Sequence, residues 1–135
     1  MDTQSRKLTN LTVDNIQSQQ YEQTLNETYR HMIMETLSNH ADTPEINSQI
    51  QTVAVFDTNR DHYQLLRIGW IDSQQRIFNP ILHIDIIEGK VWIQENRTDI
   101  DIGEELSDRG IPKSNIVLGL HPPHLRPLNP DYCVI

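Results

Sequence analysis

With Cys133 as its only cysteine, the chain of 135 residues cannot close an internal disulfide, so a reducing compartment, the cytoplasm, is expected. No apolar run approaches the roughly 20 residues that would span a membrane. The first 20 residues lack the apolar stretch of a secretory signal and are too polar and acidic for a transit peptide. Basic residues are few: 11 Lys and Arg stand against 19 Asp and Glu, for a formal net charge of −8. They are scattered singly from Arg6 to Arg126, so tight direct DNA binding is disfavoured and a protein partner suits the charge better. Also missing are a glycine-rich phosphate loop, a nucleophile elbow and a CxxC pair. Cys133 lies in a proline-interrupted tail, where holding a thiolate against a histidine base would need support that the sequence does not advertise. Neither catalysis nor a cofactor is expected.

What is present fits one domain with a core of its own. Residues 1–20 read as a polar extension, disordered or ordered only against a neighbour, and residues 21–135 as the domain. Tyr21, Leu25, Tyr29, Met32, Ile33 and Leu37 recur at steps of three or four, one stripe of a helix ending within residues 39–44. Its outward face, with Glu22, Glu27, Arg30 and Glu35, reads as solvated. Three strand-like runs follow, residues 50–56, 62–71 and 76–87, separated by the polar turns DTNRD and DSQQ. Gly69 suggests a bulge or a close backbone approach, and Pro80 demands an edge or a bulge. Beyond a fourth strand, residues 90–95, Thr98 is read as the cap of a short helix carrying Ile102 and Leu106 inward and stopped by Gly110. Pro112 starts another helical turn, residues 116–120 are strand-like, and His121-Pro122-Pro123-His124 is extended. The expected fold is α+β: an antiparallel sheet of four strands, or slightly more, with helices on one face in a two-layer sandwich.

The organising stretch is residues 80–95, PILHIDIIEGKVWIQE, two strands reversing at Glu88-Gly89. Ile86 then faces Val91, Asp85 faces Trp92, Ile84 faces Ile93 and His83 faces Gln94. Leu82, Ile84, Ile86, Val91 and Ile93 form an oily face; His83, Asp85, Trp92 and Gln94 share the other with Ile81 and Ile87. His83 and Asp85 lie about 7 Å apart on one side of a strand, a spacing open to metal ligation. None of His31, His40, His62, His121 and His124 is tied to them by ligand spacing, so the pair reads as a hydrogen-bonded surface pair and no metal is expected. Asp57, Asp61 and Glu88 read as turn acids. Trp70, Trp92 and Tyr63 read as core or interface rather than as a base-stacking platform.

FDTNRDHYQLLRIGW at residues 56–70, HIDIIEGKVWIQ at 83–94, EELSDRGIPKSNIVLGLHPPHLR at 104–126 and the Tyr29-Arg30 pair together resemble the XisI family, the fdxN element excision controlling factors of cyanobacteria. The resemblance covers about residues 29–126, with departures at Asn59 and at Asn96-Arg97. It implies a small α+β protein that accompanies a XisH-like, endonuclease-fold partner and controls excision of a DNA element by a separate recombinase during heterocyst development. The positions matching the family pattern are Arg60, Asp61, His62, Tyr63, Trp70, His83, Asp85, Trp92, Gln94, His121, Pro122 and Pro123. Nine of these, Asp61, His62, His83, Asp85, Trp92, Gln94, His121, Pro122 and Pro123, are candidates for partner binding. A non-enzymatic controlling factor is the leading expectation. Its rivals are an acidic, antitoxin-like inhibitor of a nuclease-fold partner and a small metal-binding or hydrolytic enzyme built on His83 and Asp85 with His62 or His121. Closure of the open face as a homodimer is a further use of the same surface.

Overall fold

The structure, a computed structural model, describes residues 3–41 and 49–135. Helix α1 (Thr3–Ala41) precedes four strands, β1 (Ile50–Asp57), β2 (His62–Ile71), β3 (Gln75–Ile87) and β4 (Lys90–Asn96); helix α2 (Ile102–Asp108) and the two-residue β5 (Ile116–Val117) follow. The strands lie in sequence order, β1-β2-β3-β4-β5, antiparallel except for β5, which runs parallel to β4. Short 3₁₀ turns, Lys113–Asn115 and Pro123–Leu128, complete the chain. This is the expected α+β domain, enlarged by a short parallel strand.

Alternation along the strands sorts the sheet into two faces. Leu82, Ile84, Ile86, Val91 and Ile93 are all buried, and Tyr63 and Leu65 of β2 join them. Against this face α1 lays Tyr29, Ile33 and Leu37, and α2 lays Ile102 and Leu106, with Ile111 and Ile116 closing one end. Burial of large aliphatic side chains contributes about 1.5–3 kcal/mol each, so this face holds the two layers together. Tyr21, assigned to the helical stripe from sequence, is 70 % exposed. It precedes the part of α1 that reaches the sheet. The segment read as a polar extension, residues 1–20, is helical from Thr3 onward, and all side chains from Asp14 to Thr24 are exposed. The helix ends at Ala41, and Pro44 lies outside the described residues.

Two bulges shape the sheet. Leu65 pairs with Leu82 but Leu66 with Pro80, which leaves Ile81 as the extra residue beside the proline that has no N–H to give. Ile81, assigned to the open face from sequence, packs against the core instead, and its carbonyl accepts from the Arg97 N–H at 2.8 Å. The second bulge corrects the hairpin register: His83 pairs with Glu95, not with Gln94, while the pairs from Ile84–Ile93 to the turn are as expected. Glu88 and Gly89 at that turn have φ of 50° and 76°, the two positive values that a type I′ reversal requires. Gly69 serves a close approach, because a Cβ there would clash with the Gln49 carbonyl and stand 2.8 Å from Ile50 Cα.

Two further assignments change. Asp101, rather than Thr98, caps α2: its Oδ1 accepts from the Glu104 N–H at 3.2 Å. Thr98 instead orders the preceding loop, its hydroxyl donating to Asn96 Oδ1 at 2.6 Å and accepting from the Ile100 N–H. Arg30, read as a solvated residue, lies 25 % exposed with Nε 2.6 Å from Asp61 Oδ1 and Nη2 3.2 Å from Oδ2. Glu35, on the same face, stays exposed as expected, 3.1 Å from Arg109.

Candidate functional site

The face of the sheet away from the helices carries a polar cluster where β2, β3 and β4 meet. Register alone assembles it: His62 stands directly across from Asp85, Gln64 across from His83, and Trp92 across from Asp85 on the other side. Asp85 Oδ1 lies 2.6 Å from His62 Nδ1 and 2.6 Å from His83 Nε2. Its Oδ2 accepts from the Gln94 amide at 3.2 Å, a contact made by the extra residue of the β4 bulge. The far nitrogen of His83, Nδ1, is 3.1 Å from Gln64 Oε1. The two imidazole rings are tilted by 41° with centroids 5.8 Å apart.

Exposure falls steeply across the cluster: the His62 side chain is 51 % exposed, His83 27 % and Asp85 13 %. Burial pushes the Asp85 carboxyl upward, but the hydrogen bonds from His62 and His83 outweigh it and hold the group below the usual carboxylate range. The same contact raises His62, whose imidazolium is favoured by the carboxylate it touches. A cavity of about 350 Å³, lined by Val55, Asp57, His62, Gln64 and His83, opens beside the cluster. Asp57 has its own task there. Its Oδ1 accepts from the N–H groups of Asn59 and Arg60 at 3.0 and 2.9 Å, and those backbone donors lower its carboxyl.

Of the nine candidates from sequence, the structure brings together His62, His83, Asp85, Trp92 and Gln94. The expectation that no other histidine joins the His83–Asp85 pair is overturned: His62, 23 residues away in sequence from Asp85, is in direct contact with it. Asp61 is elsewhere. At φ 61° it turns toward the helix layer, where it binds Arg30 and accepts from the Tyr63 hydroxyl at 2.7 Å. His121, Pro122 and Pro123 belong to the tail beyond β5, the two prolines exposed and His121 half-buried. That tail reaches the cluster's flank by another route: the Arg126 guanidinium lies 5.2 Å over the Trp92 ring, and the Leu120 N–H donates to the Ile93 carbonyl at 3.0 Å. Gly119 permits the approach, since a Cβ there would stand 2.6 Å from Gln94 Oε1 and 2.9 Å from Trp92 Cε3.

Sequence reasoning missed Gln64, Gly119 and the pairing of Arg30. The first had a signal, because HYQ at residues 62–64 repeats the alternate-residue spacing of HID at 83–85 and so sets both polar pairs on strand faces. Further along the same open face, alternation places Val55, Ile68, Trp70 and Phe78; Phe78 is 65 % exposed and Trp70 46 %, with Arg76 stacked 5.4 Å over the Trp70 ring. No nucleophile stands in the cluster among the described residues. Cys133 is held in an isolated bridge with Val117, its N–H donating to the Ile116 carbonyl.

Comparison with known proteins agrees with this architecture. A family profile described as XisI protein matches residues 23–134. A solved XisI-like protein from Anabaena variabilis ATCC 29413 is 35 % identical, with a TM-score of 0.74, over 82 % of this chain and 99 % of its own. The fdxN element excision controlling factor XisI from the same organism is 32 % identical, with a TM-score of 0.70 over the same shares. No curated protein matches the chain. Matched across the whole folded body, from the packed half of α1 to the tail over Trp92, the chain belongs to the XisI family.

Proposed function

We propose that this protein is a non-enzymatic controlling factor that acts with a XisH-like partner in excision of a DNA element, the chemistry of recombination being done by another protein. The observation that carries the reading is its likeness to a protein named fdxN element excision controlling factor, over 99 % of that protein's chain. An open sheet face with Val55, Trp70 and Phe78 exposed beside a polar cluster supports contact with a protein. The net charge of −8 supports the same choice over nucleic acid. Copurification with the XisH-like neighbour tests it: Phe78→Asp and Trp70→Asp are expected to reduce the recovered partner at least tenfold, and undiminished recovery in both removes this face from the reading.

The acidic charge also favours a second reading, in which the chain blocks a nuclease-fold partner as an inhibitor. Expression of the partner alone separates the two. Toxicity or DNA cleavage relieved by this chain supports inhibition, and neither is expected of an excision accessory.

A further inference from the structure

We propose that His62, His83 and Asp85 form a binding site for one divalent transition-metal ion of the zinc class. The proposal does not depend on the partner reading. The three residues offer two imidazole nitrogens and a carboxylate oxygen, all within 4.8 Å of one another, from two adjacent strands of a rigid sheet. Two histidines and one carboxylate, with further positions left for water or another ligand, are a donor set suited to zinc and its first-row neighbours.

Three features separate this cluster from an ordinary surface pair. The first is convergence. Both imidazoles aim a nitrogen at the same oxygen, Asp85 Oδ1, at 2.6 Å each, while the second oxygen takes the Gln94 amide. Ligands about 2.0–2.1 Å from a tetrahedral ion stand about 3.3 Å apart, so each imidazole contact to Asp85 has to open by about 0.7 Å to admit the metal.

The second is the outer support. Gln94 donates to Asp85 Oδ2, and Gln64 Oε1 faces His83 Nδ1. Gln64 thus braces the far side of the His83 ring while Nε2 faces Asp85. Outer partners of this kind fix the tautomer and orientation of metal-ligating histidines and hold ligating carboxylates in place. The third is access. The cavity beside His62 and His83 leaves the outer side of the cluster open to an ion and a further ligand, while Asp85 stays buried beneath. Asp57, the other carboxylate in that cavity, is engaged by the Asn59 and Arg60 N–H groups and is not assigned as a ligand.

The test uses the full chain stripped with chelator and titrated with zinc chloride near neutral pH by calorimetry. Wild type is expected to take up one equivalent. His62→Gln, His83→Gln and Asp85→Asn, each verified as folded by circular dichroism, are expected to bind at least about tenfold more weakly. His62 is half exposed, so its variant keeps the fold and the test survives failure of the other two. Cobalt(II) loading should give visible d–d bands without thiolate charge transfer. Absence of saturable zinc uptake, wild-type affinity in any folded variant of the three, or a thiolate band placing the ion at Cys133 would each overturn the site.

Discussion

Asp61 shows how much one residue decides here. It holds a left-handed backbone at the end of the β1–β2 turn, neutralises Arg30 of α1 and accepts a hydrogen bond from the hydroxyl of Tyr63, which is fully buried. Asp61→Ala leaves a half-buried guanidinium and a buried phenol without their acceptor, and should cost about 2–4 kcal/mol in urea unfolding. Asp61→Asn, which also tolerates positive φ, isolates the loss of charge from any backbone strain. Tyr63 sets an alkaline limit. Burial, reinforced by the Asp61 carboxylate, raises its pKa well above the ordinary value of about 10. Its contribution to stability is therefore complete below that pH and is lost as pH rises toward the folded value. Unfolding free energy should fall by up to about 1.4 kcal/mol per pH unit above pH 10 on this account, and Tyr63→Phe should remove that component of the slope. Little of this was legible in sequence. Alternation identifies His83 and Asp85 as neighbours, whereas the His62 contact depends on how the DTNRD turn sets register, and the Arg30–Asp61 pair depends on how the helix crosses the sheet.

Among the elements, the strands and their order were legible because each is a strand-like run closed by turn residues, and neighbours in sequence are neighbours in the sheet. The departures all arise where two elements meet. Pro80 announced a bulge, but only the paired strand shows that Ile81 is the displaced residue; nothing local to VWIQE announced the bulge at Gln94. Asp101 displaced Thr98 as the α2 cap because Asn96 claims the threonine hydroxyl. The tail supplies the test at this scale. Gly119→Val should push residues 118–126 off β4, remove Arg126 from the Trp92 ring and red-shift the Trp92 part of the emission, while Trp70 at the far end of the face is unaffected. An unchanged spectrum would show that the tail accommodates the side chain in place.

For the molecule as a whole, the two-layer plan was legible because an oily hairpin face and a helical stripe must cover one another. The reach of α1 was not, since residues 3–20 have no apolar face that demands a helix. At 1.5 Å per residue, the 39-residue helix is about 58 Å long, and its packed portion begins only at Leu25. Removing residues 1–20 is expected to change the unfolding free energy by less than about 0.5 kcal/mol, because the side chains described there touch water and not the core. A larger loss in thermal or urea unfolding would mean that the projecting half contributes to the body. The parallel pairing of β5 with β4 bears on the order of assembly. The four-strand meander closes through short turns, whereas β5 returns to β4 only after the chain has passed through α2. Its loop-closure entropy is therefore met last. Hydrogen exchange should find β5 and the tail opening as one cooperative unit ahead of the meander, so the clasp over Trp92 and Gln94 forms after the sheet and releases before it.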